Sequence, residues 1–187
     1  MRIIAGKLKG KKLIEPNDKK TRPLKDLVKE SLFNVIKHSN KFSIDLENSN
    51  VLDLFAGVGS FGLEALSRGA KSVIFVDNYS NVLNILEKNI INLNLKKKCN
   101  ILREDLLNNF SFNKLNQNFD IIYLDPPFKN KNMISLISNI NESKILKTNG
   151  VIILHRHKND NDDFSSVFNV IEEKKYGISK IVFLSQF

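Results

Sequence analysis

The stretch that decides the fold is "DLFAGVGSFGLEALSRGAKSVIFVD", Asp53 to Asp77. A short apolar run, "NVLDLF" (50–55), ends in a glycine loop, passes into "FGLEALSRG" and rises again into "SVIFVD" (72–77). Gly57, Gly59 and Gly62 give G-x-G-x-x-G between strand and helix. That spacing serves a tight turn and a close backbone approach to a ligand at the switch point of a parallel sheet. Asp77 closes the second strand, where a carboxylate can accept hydrogen bonds from ribose hydroxyls. A lone glycine triplet is weak evidence. In this strand–loop–helix–strand–acid context it points to an adenosine-type cofactor.

The alternation continues. Val82, Leu83, Leu86, Ile90 and Leu93 recur at helical spacing over 79–93. "CNILRED" (99–105), "FDIIYLD" (119–125) and "VIILHRH" (151–157) read as strands, and "VFNVIEEKKY" and "GISKIVFLSQ" as a terminal pair. Strands separated by helices imply a mostly parallel sheet covered on both faces. The expected fold is α/β and Rossmann-like, with seven strands and an antiparallel member in the last pair. One domain over 1–187 is expected, with a basic hairpin and helix in 1–41 and the cofactor-binding and catalytic core in 50–187.

The chain has 187 residues, of which 42% are hydrophobic and 26% charged, a soluble globular composition. It shows no signal-peptide core and no run of about 20 apolar residues, so a cytoplasmic protein without a membrane partner is expected. Cys99 is the single cysteine, which excludes an internal disulfide and two-cysteine metal motifs. His155 and His157 flank Arg156 at a strand end without further ligand spacing, so they read as polar strand-end residues and no metal site is expected.

The net charge of +9 is unevenly spread. Residues 1–41 hold 12 Lys/Arg against 4 Asp/Glu, a difference of +8, and the remainder hold 17 against 16, a difference of +1. Biased composition would distribute the charge, so the N-terminal fifth reads as an element facing a polyanion. "MRIIAGKLKGKKLIEP" reads as a hairpin around Gly6–Gly10, bearing Lys7, Lys9, Lys11 and Lys12. In "KKTRPLKDLVKESLFNVIKH", Leu24, Leu27, Val28, Leu32, Val35 and Ile36 form an apolar helical face, with Lys25, Asp26, Lys29 and Lys37 opposite and Pro23 in the first turn. Arg22, held extended before Pro23, is placed to reach a phosphate or the site's mouth.

The glycine fingerprint also suits NAD, and three features favour S-adenosylmethionine. Asp53 precedes the glycines, where a carboxylate suits an ammonium and repels a pyrophosphate. Asp105 ends the third strand, within reach of an adenine amino group, although helix capping is the other reading of an Asp there. The fourth strand ends in a double proline, with no second mononucleotide-binding half.

That double proline lies in "YLDPPF" (123–128). Proline belongs at strand ends because it cannot donate to a central ladder, but this strand end faces the ligand crevice. An exocyclic amine conjugated to a base ring is a poor nucleophile. Asp125 can accept one of its N–H groups and a rigid Pro126 carbonyl the other, turning the lone pair toward a methyl donor. Pro127 stiffens the turn, and Phe128 offers a ring for stacking an extruded base.

"DPPF" resembles the D/N/S-P-P-F/Y/W motif of amino-methylating, S-adenosylmethionine-dependent methyltransferases, which serves guanine, adenine, cytosine and glutamine amines alike. Together with "MRIIAGKLKGKKL", "TRPLKDLVKESLFN" and the stretch 53–77, it is similar in order and spacing to bacterial small-subunit ribosomal RNA guanine-N2 methyltransferases (RsmD-like), over nearly the whole chain. The resemblance implies a class I methyltransferase fold and a partner that is ribosomal RNA or an assembling small subunit; separately, a monomer is expected. It implies that Asp53, Ala56, Gly57 and Gly59 line the methionine side, Asp77 takes the ribose, Asp105 takes the adenine, and Asp125 to Phe128 hold the guanine. The polar "LHRHKNDNDD" after Gly150 departs from the pattern. An adenine-N6 methyltransferase acting on DNA or RNA, a non-catalytic RNA-binding protein on the same fold and a dehydrogenase are the rival readings. The first lacks room for a target-recognition domain, and the second would need a damaged loop or motif.

Overall fold

The computed structural model describes residues 1–16, 24, 26–108, 110–127 and 133–187. Helix α1 (Asp26–His38) leads to β1 (Asn50–Leu54), α2 (Ser60–Ser67), β2 (Ser72–Asp77), α3 (Ser80–Asn92), β3 (Cys99–Arg103) and β4 (Phe119–Leu124). Then follow α4 (Met133–Glu142), β5 (Leu146–His157), β6 (Asn169–Tyr176) and β7 (Ser179–Ser185). The strands form one seven-stranded sheet in the order β3-β2-β1-β4-β5-β7-β6. Strands β1 to β5 run parallel, and β7 is antiparallel to both of its neighbours. This is the expected Rossmann-like sheet, and the change of winding between β1 and β4 opens the ligand crevice. No helix among the described residues is long and apolar enough to cross a membrane.

The central strands are apolar throughout because helices cover both faces. Val51, Tyr123 and Ile153 pack with α1, α2 and α3, whereas Leu52, Leu54, Ile122 and Leu154 pack with α4. Each fully buried aliphatic side chain contributes roughly 1.5–3 kcal/mol. Helix α4 is not anticipated above, although Met133, Leu136, Ile137 and Ile140 follow the i, i+3, i+4, i+7 pattern and are buried. Strand β3 stops at Arg103, short of Asp105. The Asp105 carboxylate captures the Leu107 N–H at 3.0 Å, a local turn that competes with the ladder.

Helix α1 is rotated relative to its expected face. Leu27 is 73% exposed, while Lys29, expected on the polar side, has no exposure. The buried stripe is Val28, Lys29, Leu32, Phe33 and Ile36. Lys29 is admitted because its ammonium donates to the Arg2 carbonyl at 2.8 Å and the Ser60 hydroxyl at 3.3 Å. Burial pulls its pKa down, and the Glu64 carboxylate 3.7 Å away opposes that shift.

The N-terminal segment doubles back through an antiparallel bridge between Arg2 and Lys12. Its bend seats on the end of α2. Gly6 (φ +81°) approaches so closely that a Cβ would lie 1.9 Å from the Ser67 carbonyl oxygen. That oxygen accepts the Lys7 N–H at 2.7 Å. The buried Glu64 carboxylate accepts the N–H groups of Ile4 (2.7 Å) and Ala5 (3.0 Å) and the Arg68 Nε–H (2.8 Å). Glu64→Ala leaves Lys29 buried without its acid, a change expected to cost about 3–5 kcal/mol. Thermal unfolding should show a fall of roughly 2–4 °C per kcal/mol lost. An unchanged melting temperature contradicts the clamp.

Candidate active site

The carboxyl ends of β1, β2, β4 and β5 surround a cavity of about 390 Å³. Asp53 of β1, Asp77 ending β2 and Asp125 just past β4 all line it. Strand register sets this convergence. Asp53 pairs with Tyr123, and Leu124 pairs with Leu154, so the residues that follow, Asp125 and His155, emerge side by side. The N-terminal element reaches the same space through Met1, Pro16 and Leu24.

The glycine loop is held by the acid that ends β2. Asp77 accepts the Gly57 N–H at 2.9 Å on one carboxylate oxygen and the Tyr79 N–H at 2.8 Å on the other. The Ala56 N–H donates to the Val76 carbonyl at 3.1 Å, which ties the loop to β2. Gly57 has φ +55°, and nothing stands within 4 Å of where its Cβ would project. That is open space into which a ligand can press against backbone. Gly62 has a different reason: a Cβ there would meet the Phe75 ring at 2.4 Å, so the third glycine allows helix to pack on strand.

Asp53 is 1% exposed, and its carboxylate accepts the Gly62 N–H at 2.9 Å. Burial pushes its pKa well above the ordinary carboxylate range. The Gly62 N–H pulls it back, and the charges of Asp125 and Asp77 push it further up. A cavity so lined favours a cation over an anion.

The Asp125 N–H donates to the Leu54 carbonyl at 3.3 Å, which fastens the end of β4 to β1. One carboxylate oxygen lies 2.7 Å from His155 Nδ1, and the other accepts the Tyr123 hydroxyl at 3.4 Å. Tyr123 stacks on Phe61 with centroids 4.0 Å apart, and Phe61 stacks on Phe33 at 5.0 Å. Burial, then the charges of Asp125 and Asp53, push the Tyr123 hydroxyl well above its usual pKa, so it remains a neutral donor. Pro126 is buried, Pro127 is exposed, and both line the cavity.

Of the residues singled out from the sequence, Asp53, Ala56, Gly57, Asp77, Asp125, Pro126 and Pro127 meet at this cavity. Gly59 and Asp105 are not among its lining residues. Gly59 (φ +83°) shapes the entry to α2 against Leu86, and both Asp105 oxygens serve its own loop, accepting from Leu107 N–H and the Asn108 amide. Lys7, Lys9, Lys11 and Lys12 are exposed, with no ion pair to described residues. Phe128 and Arg22 lie outside the described residues, as do Pro23 and Lys25. His155, expected to be a polar strand-end residue, is 5% exposed, bonded to Asp125 and part of the cavity lining. "IIYLD" and "VIILH" are both apolar runs that end in a polar side chain, but the sequence alone does not show that they pair in register.

The family model described as "Conserved hypothetical protein 95" matches residues 1–185. "Ribosomal RNA small subunit methyltransferase D" of Haemophilus influenzae is 37% identical over 183 residues, covering 95% of this chain and 90% of that protein. The protein of the same name from Buchnera aphidicola (subspecies Baizongia pistaciae) is 30% identical over 181 residues, covering 97% and 88%. A solved Escherichia coli structure, a "putative methyltransferase", superposes with a TM-score of 0.81 at 26% identity, covering 100% of this chain and 98% of that one. With a family model over residues 1–185 and a relative 37% identical over 95% of the chain, the chain belongs to the ribosomal RNA small subunit methyltransferase D family.

Proposed function

We propose that this chain transfers the methyl group of S-adenosylmethionine to the N2 amine of a guanine in small-subunit ribosomal RNA. The observation that carries the reading is the meeting, in one cavity, of a backbone-lined opening at Gly57 with the acids Asp53 and Asp77 and the Asp125–Pro126–Pro127 turn. These residues fit the cofactor: Asp53 suits the ammonium, Asp77 keeps lone pairs for ribose hydroxyls beside the N–H groups it already accepts, and Gly57 leaves room against backbone. When bound, S-adenosylmethionine supplies a methyl group on a sulfonium sulfur. Asp125 accepts one N–H of the guanine amine and the Pro126 carbonyl the other, which frees the nitrogen lone pair from the ring. The extra proton on the methylated nitrogen is acidic, so Asp125 need not be a strong base. The exposed lysines of the hairpin suit phosphates near the cavity's N-terminal wall.

Incubation with labelled S-adenosylmethionine and ribosomal RNA, assembled small subunits or DNA tests the reading. Label should appear in small-subunit RNA as N2-methylguanine on nucleoside analysis. Asp125→Ala should abolish most turnover while cofactor affinity stays near wild type, since the lost bond acts on the reacting amine. Label in adenine, or in DNA alone, refutes the assignment.

The Asp53 environment sets a pH dependence. A carboxyl with a raised pKa holds a proton in the free protein above the usual range, and an ammonium beside it favours the ionised form. Cofactor binding should therefore release a proton and tighten as pH rises from the ordinary carboxylate range toward Asp53's raised value. Calorimetry in buffers of different ionisation enthalpy measures that proton. Affinity that weakens as pH rises through this window contradicts the placement.

Neutralising Lys7, Lys9, Lys11 and Lys12 together should weaken RNA binding and leave cofactor binding alone. Each lost phosphate contact should reduce the log–log salt slope by about 0.7–0.9. An unchanged slope assigns the cluster to composition.

A further inference from the structure

Asp125 stands at the end of β4, and its carboxylate can rotate about a broad terminal torsion. What it presents to an acceptor depends on what fixes it. The groups facing it are Asp53 from β1, Tyr123 from its own strand and His155 from β5, with Asp77 beyond Asp53. The Asp53 carboxylate offers Asp125 only repulsion. The Tyr123 hydroxyl is 3.4 Å away, longer than a strong O–H···O bond. His155 Nδ1 lies at 2.7 Å, in the range of charge-assisted bonds, and its side chain is 7% exposed. A carboxylate only accepts, so Nδ1 carries the hydrogen whether the imidazole is neutral or protonated. The contact is set by topology, because Leu124 and Leu154 are register partners and Asp125 and His155 follow them on parallel neighbours.

We propose that His155 is a positioning residue for Asp125: it pins one carboxylate oxygen so that the other meets the acceptor amine. This rests on the methyl-transfer reading above. The imidazole, which also lines the cavity, acts through Asp125 and takes no proton from the amine. It holds the turn's acid side chain in one orientation.

Two substitutions separate positioning from packing. His155→Asn places its amide nitrogen where Nδ1 stands and keeps a donor. His155→Leu fills the space without one, and His155→Met replaces it if the Leu protein does not fold. Turnover per folded protein, cofactor affinity and melting temperature are measured for each. The donor-free variant should lose about tenfold or more in turnover, as expected for a lost charge-assisted bond, with cofactor affinity within about twofold of wild type. The Asn variant should recover to within about threefold of wild type. A donor-free variant as fast as wild type overturns the proposal, and so does an Asn variant as slow as the donor-free one. An inert wild type defeats the methyl-transfer reading and this inference with it, whereas an active wild type beside an equally fast donor-free variant defeats the inference alone.

Discussion

Glu64 is a carboxylate with no solvent exposure, and it answers groups from three parts of the chain. Its oxygens accept two backbone N–H groups of the N-terminal segment and the Arg68 guanidinium, and face the Lys29 ammonium from α1. Removing two charges from water is costly, so the pair persists only because further hydrogen bonds saturate both partners. The consequence is positional. Helix α2 begins at the glycine loop, so the same helix that carries Glu64 ties the N-terminal segment to the glycine-loop side of the cavity. Asn89 of α3 adds a second tie. Its side chain accepts the Ile14 N–H at 2.7 Å and donates to the Val58 carbonyl at 3.3 Å, joining hairpin and loop through one buried amide.

The sheet was legible because its central strands obey a simple rule: covered on both faces, they read as unbroken apolar runs. "SVIFVD" begins and ends as expected, as does the helix that follows to within one residue. Helix α1 was legible as a helix but not in its rotation. Its wheel offered Leu27 as core and Lys29 as surface, and the partners that bury Lys29, namely Arg2, Ser60 and Glu64, come from distant sequence. No periodicity in the helix itself records them. Cys99 is half-buried, and burial pushes its thiol up to about 12.

Asp53, Gly57, Asp77 and Asp125 were legible for a related reason, since each sits at the carboxyl end of a strand in a parallel sheet. Asp77 does more than its position suggested, because both oxygens already brace the loops around the cavity. Asp105 shows the converse. An acid just beyond a strand can be absorbed by its own turn, and that competition is local and weakly marked in sequence. His155 escaped because a lone histidine beside an arginine carries no spacing signal. Only the pairing of β4 with β5 brings it to Asp125.

The aromatic stack beneath the cavity has an optical consequence. The chain contains no tryptophan and three tyrosines. Tyr79 and Tyr123 both line the cavity, and only Tyr176, whose hydroxyl accepts from Ser31, lies elsewhere. Two of the protein's three tyrosine chromophores therefore stand in the walls of its own cavity. Tyr123 is held between the Phe61 ring and the Asp125 carboxylate, a rigid and asymmetric setting for a chromophore. Occupancy of the cavity is thus written into the protein's native spectrum, with no label required.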